Sequence, residues 1–139
     1  MPDVLVEQWI DAPERERWGR RVLSDGQVEE CSGATAAFVD GEWRFGTQEP
    51  RWRALTSLPP GAVEELRGVI RDSGVMELPA EVVPTRTVIG GTEQTWTFAL
   101  DGRPRQVKLL GVRPDRIPPL AAVDQAVQLA VAEALTRSG

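Results

Sequence analysis

Asp-Gly stands three times in this chain between runs that alternate apolar and polar residues: Asp25-Gly26, Asp40-Gly41 and Asp101-Gly102. A two-residue hairpin loop of type I′ needs positive φ at both central residues, and Asp-Gly is a favoured pair for it. Three such signals commit much of the chain to antiparallel hairpins. The flanking residues fit that reading. A two-residue loop at Asp25-Gly26 opposes Leu23 to Val28 and Arg21 to Glu30. At Asp40-Gly41 it opposes Phe38 to Trp43 and Ala36 to Phe45, and at Asp101-Gly102 it opposes Trp96 to Val107. Apolar meets apolar and Arg meets Glu, as stabilising cross-strand pairs require. Pro104 cannot donate to a ladder, which points to a longer third loop.

Other segments extend the pattern. Val4, Val6 and Ile10 fall on one side of a period-two run and Leu5, Glu7 and Trp9 on the other, predicting a strand over 4–10 that Asp11-Ala12-Pro13 breaks. From Trp43 to Thr56 the chain reads as strand, turn near Glu49-Pro50, and strand, with Trp52 and Ala54 on one face and Arg51 and Arg53 opposite. Thr92 to Leu100 alternates again, with Trp96, Phe98 and Leu100 together.

Two segments have helical spacing. Pro59-Pro60 suits a first helical turn, where a missing N–H is no loss. Glu64 and Glu65 lie early, near the positive end of the dipole. Val63, Leu66 and Ile70, widened by Val69, form one stripe, and Gly74 reads as the C-terminal cap. The second helix follows the stiff stretch 113–119 and runs to about Arg137, burying Leu120, Val123, Val127, Val131 and Ala134. Residues 75–92 are the least legible: Val75 to Leu78 reads as a short strand or a helix exit, and Gly90-Gly91 as a turn. The order strands, helix, strands, helix predicts an α+β fold over 1–139 as a single domain. Its simplest form is an antiparallel sheet of hairpins with two helices packed on one face.

The run Leu23-Ser24-Asp25-Gly26-Gln27-Val28, the arginine-bearing strand, Leu58-Pro59-Pro60 leading into Val63-Glu64-Glu65-Leu66, the Ser73-Gly74 stop and the closing hairpin-plus-helix resemble a loose group of small bacterial α+β domains of unknown function. The resemblance covers about residues 17–135. It implies the same layout and no activity, and it carries over no functional residues.

Composition narrows the chemistry. There is no His, Tyr or Asn, and Lys108 is the single lysine among 16 basic residues, a balance that fits a high-GC bacterial genome. Without His there is no imidazole base, no Ser-His-Asp or Cys-His arrangement and no His-ligated metal. One cysteine, Cys31, allows neither a thiolate metal cluster nor an intrachain disulfide, which suits a reducing compartment. With Arg20 as its hairpin partner, Cys31 reads as structural. Gly90-Gly91-Thr92 precedes a strand, so no helix N-terminus follows to hold a phosphate. Glu29-Glu30 and Glu64-Glu65 are sequence neighbours, whose side chains diverge. No catalytic residue, metal or cofactor is implied. No run is apolar enough for a membrane helix and no secretory signal is visible, so cytoplasmic residence is the expectation. The net charge of −5 makes nucleic acid an improbable partner.

The most conspicuous polar feature is the segment holding Trp43, Arg44, Arg51, Trp52 and Arg53, since Trp and Arg are enriched at interface hot spots. It predicts a non-enzymatic protein-interaction module, self-association as a homodimer included. Against it stands the plainer reading, in which the tryptophans fill the core and the arginines coat an edge. The functional alternative is a small-molecule pocket between sheet and helices, weakly catalytic through Asp/Glu and Arg.

Overall fold

In a computed structural model the chain is described over residues 3–11, 17–33, 36–45, 52–82 and 93–138. The elements are β1 (Val4–Asp11), β2 (Arg17–Leu23), β3 (Gln27–Gly33), β4 (Ala36–Val39), β5 (Glu42–Phe45), β6 (Arg53–Ser57), α1 (Pro60–Ser73), β7 (Glu81–Val82), β8 (Glu93–Leu100), β9 (Arg103–Leu110) and α2 (Pro118–Ser138). Short 3-10 turns at Val75–Glu77 and Pro114–Arg116 lead out of α1 and into α2. Seven strands form one sheet in the order β6-β3-β2-β1-β8-β9-β7, and β4 with β5 forms a separate two-stranded sheet.

The fold is α+β, but the main sheet is mixed. Six strands pair antiparallel, whereas β7 runs parallel to β9, with Glu81 opposite Lys108 and Val82 opposite Leu109. The reason lies in the exit from α1. Gly74 takes a left-handed conformation at φ 93°, the 3-10 turn follows, and the Ala80 carbonyl then accepts from Lys108 N at 2.8 Å. The chain therefore meets β9 at its open edge after crossing over, instead of through a hairpin.

Two hairpins keep the expected two-residue loop, and one does not. Asp40 and Asp101 both have positive φ, as do Gly41 and Gly102, and the pairs Phe38–Trp43, Ala36–Phe45 and Trp96–Val107 form. Pro104 is accommodated opposite Ala99 without lengthening the third loop. At Asp25-Gly26 only the glycine has positive φ, and the ladder pairs Val22 with Val28, Arg21 with Glu29 and Arg20 with Glu30. The loop is thus Ser24-Asp25-Gly26, one residue longer, and the expected Leu23–Val28 and Arg21–Glu30 pairs do not form. Local bonds hold this shape: Gly26 N donates to Leu23 O at 2.9 Å and Gln27 N to Asp25 Oδ1 at 3.0 Å.

The apolar stripes meet in one buried cluster. Val6, Val22, Val28 and Phe98 are cross-strand neighbours on four strands, and all are buried. They pack with Trp96, Val107 and Leu109, with Val63, Leu66 and Ile70 of α1, and with the expected α2 stripe Leu120, Val123, Val127, Val131 and Ala134. Each fully buried Val or Leu side chain contributes roughly 1.5–3 kcal/mol. A bulge between Val4 and Val6 lets Leu5 and Val6 both be buried, although they are sequence neighbours. The glutamates expected at the start of α1 fall beyond its first turn, and Glu64 instead pairs with Arg67 at 3.0 Å. Among the described residues no helix is long and apolar enough to cross a membrane.

Candidate functional site

On the sheet face that carries Val6, Val22 and Phe98, the next two rows turn polar. Strand neighbours alternate faces, so residues two apart share one. Two residues beyond Val6 is Gln8, two before Val22 is Arg20, and two beyond Val28 is Glu30, and these three lie side by side. One row further, Trp18, Ile10 and Gln94 are neighbours. An apolar sheet face thus becomes a patch of two glutamines, an arginine, a glutamate, a tryptophan and an isoleucine.

This patch forms one wall of an open cleft of about 700 Å³. The opposite wall comes from α2, with Asp124, Val127, Gln128, Val131, Ala132 and Leu135. Residues 113–115 close part of the rim. Apolar and polar side chains contribute in similar measure, and Leu135, 42% exposed, lies at the edge.

The hydrogen bonds fix which polar atoms remain to meet a ligand. Trp96 Nε1 can only donate. The Gln94 atom it meets at 3.2 Å is therefore the carbonyl oxygen, Oε1. Gln8 Nε2 donates to that same oxygen at 3.2 Å. Gln94 Nε2 is left as a donor and Gln8 Oε1 as an acceptor, neither with a partner among the described residues. Arg113 holds Asp115 along one edge of its guanidinium: Nε and Nη2 donate to Asp115 Oδ1 and Oδ2 at 3.1 and 2.8 Å. Asp124 Oδ1 accepts from Gln128 at 3.0 Å.

Arg20 differs from Arg113. Its Nη2 stands 3.5 Å from Glu30 Oε2, beyond the 2.7–2.9 Å of a strong charge-assisted bond. Its guanidinium carbon lies 5.0 Å from the Trp18 ring centroid, a cation–π contact on the cleft wall. Its Nε–H is buried with no partner among the described residues. Arg105 also has a buried, unpartnered Nε, but it lies outside the cleft and donates through Nη2 to the Leu78 carbonyl.

The sequence-predicted residues fall in different elements. Trp43 and Arg44 stand on β5, whose backbone pairs them with Phe38 and Ala37, in a different sheet from Arg53 on β6, and Trp52 immediately precedes that strand. Arg51 lies outside the described residues. Trp52 is half-buried: its ring stands 5.1 Å from that of Trp9 at an interplanar angle of 64°, with the Arg21 guanidinium 4.1 Å above it. Arg21 also donates through Nε and Nη2 to Glu29 Oε1 at 2.7 Å. Arg53 sits on the edge strand β6, 75% exposed, with Glu30 at 4.0 Å. Among the described residues a Trp/Arg cluster brings together Trp9, Arg21 and Trp52, from β1, β2 and the approach to β6. Cys31, buried, is opposite Gly19 and not Arg20, because of the shifted hairpin register.

Sequence reading missed the cleft residues Gln8, Trp18, Arg20 and Gln94. Their signal was a break in alternation: Val6-Gln8-Ile10, Val22-Arg20-Trp18 and Phe98-Trp96-Gln94 each place a polar residue where the buried face continues. Only the strand pairing shows that the three breaks coincide. No protein-family model matches this chain, and no curated protein is similar to it.

Proposed function

We propose that this chain is a binding domain that holds a small, partly apolar molecule between the sheet and α2. In this reading both helices cover one face of the sheet, and the cleft is the part of that face they leave open. The observation that carries it is the group Gln8, Arg20 and Gln94, on two adjacent rows of the sheet, whose unspent polar atoms lie among Ile10, Trp18, Val127 and Val131. Ligand sites are concave and combine apolar surface with a few fixed polar groups, and this cleft has both. Its glutamine pair is oriented by Trp96 from within the core, so the polar atoms are held before a ligand arrives. The resemblance to small bacterial domains of unknown function is compatible with such a role and adds no activity to it.

A thermal-shift screen across metabolite classes tests the reading. A binder present at a hundred times its Kd stabilises the fold by about 2.7 kcal/mol. We expect hits of several degrees, and we expect Ala132→Trp, an exposed lining position whose indole would occupy the cleft, to remove them. Hits that persist in a folded Ala132→Trp variant would move the site elsewhere.

A second reading rests on β6. That strand is an edge of the sheet, Arg53 is exposed on it, and the Trp52–Arg21 stack lies beside it. Exposed edges invite strand addition, and Trp and Arg anchor interfaces. Under this reading the domain docks a protein partner or a second copy of itself. Sedimentation across a range of concentrations, with Arg53→Glu compared to wild type, tests self-association.

A further inference from the structure

We infer that the cleft takes a carboxylate attached to an apolar body, with the carboxylate received by Arg20 and Gln94. The inference deepens the small-molecule reading and depends on it. It follows from which polar atoms are spent. Arg113 spends Nε and Nη2 on Asp115, so its charge is already met at close range, and its side chain is 76% exposed, which makes it the weaker anchor for an anion. Arg20 has one long ion pair, one aromatic contact and one buried N–H without a partner. That N–H is closed off from the cleft, so a ligand oxygen is received by the terminal nitrogens of Arg20, on which Glu30 has only a weak hold at 3.5 Å. Gln94 Nε2 is the other uncommitted donor, and it is a donor only because Trp96 and Gln8 both claim Oε1. Two donors, one of them cationic, match an anionic acceptor with two oxygens. Ile10, Trp18, Val127, Val131 and Leu135 supply apolar surface for the rest of the molecule. Asp124 lines the same cleft, and its charge opposes a second anionic group, so a monocarboxylate fits better than a dicarboxylate.

The probes are three eight-carbon compounds: octanoate, 1-octanol and octylamine. Trp18 lines the cleft, and binding is followed by tryptophan fluorescence and by isothermal titration with the full chain. We expect octanoate to bind at least tenfold more tightly than either of the others. Arg20→Met keeps the side-chain length and removes the donors; it should weaken octanoate at least tenfold and leave 1-octanol within twofold. If Arg20→Met does not fold, Arg20→Lys serves, since it keeps the charge and removes Nε and the planar fork. Equal binding of all three compounds, or octanoate binding untouched in the Arg20 variants, would overturn the carboxylate assignment while sparing the cleft, provided Ala132→Trp abolishes that binding. Octanoate binding that survives Ala132→Trp, or no binding of any probe by wild type, would overturn the assignment; only the first would also count against the cleft.

Discussion

The carbonyl oxygen of Leu58 comes so close to the α-carbon of Gly26 that a β-carbon there would stand 2.3 Å from it. The two residues also bond through the backbone, Leu58 N donating to Gly26 O at 2.7 Å. The first hairpin loop is thus pinned against the chain just before α1. This contact, together with the positive φ of Gly26 alone, fixes the three-residue loop. The register of β2 against β3 follows from it, and so does the placing of Arg20 in the cleft row and Arg21 on the other face.

Gly26→Ala should therefore be more costly than an ordinary turn substitution. Gly41 and Gly102 share the positive φ but have nothing within 4 Å of an added β-carbon. Their alanine variants should each lose about 1 kcal/mol from backbone strain. Gly26→Ala adds a collision with rigid backbone and should lose roughly 3 kcal/mol or more. Urea denaturation of the three variants side by side checks the order.

Gly68→Ala should do the opposite. Gly68 lies inside α1, has no positive φ, and an added β-carbon meets nothing within 4 Å. Alanine in a helix interior is about 0.5–1 kcal/mol better than glycine. A higher urea midpoint with an unchanged slope is the expected result.

Arg21 and Arg53 should differ sharply although both pair with glutamates. Arg53→Ala removes an exposed contact at 4.0 Å and should change stability by less than about 0.5 kcal/mol. Arg21→Ala removes a short two-nitrogen grip on Glu29 and a half-buried stack on Trp52, and should cost about 2 kcal/mol. Thermal melts of the two variants test the difference, and equal losses would contradict it.

Trp96→Phe should uncouple the glutamine pair from the core. The indole N–H is what compels Gln94 to present Oε1. Without it the Gln94 amide is free to turn, and the side-chain NH2 resonances of Gln8 and Gln94 should move toward the values of exposed glutamine in an NMR spectrum. The lost bond and the small cavity should together cost about 1–3 kcal/mol. Unchanged amide resonances would remove Trp96 as the orienting group.

Most elements were legible before any coordinates. Both helical stripes are buried as their spacing requires, Gly74 ends α1 in a left-handed conformation, and two of three Asp-Gly loops have the expected geometry. Local chemistry sufficed for these, because periodicity and turn residues act over a few positions. The candidate site was not legible. Of the conspicuous residues, Trp43 and Arg44 stand in one sheet and Arg53 in another, with Trp52 just ahead of it.

What the sequence determined by itself was both helices, the strands outside residues 75–92, and the apolar stripe of each helix. What only the tertiary structure decided was strand order, the parallel seat of β7 and the one-residue shift in the first hairpin. These depend on contacts such as Gly26 with Leu58 and Ala80 with Lys108, between residues distant along the chain. The cleft belongs to the second group. Gln8, Arg20 and Gln94 become neighbours through strand pairing between positions up to 86 residues apart, and no local pattern encodes that distance.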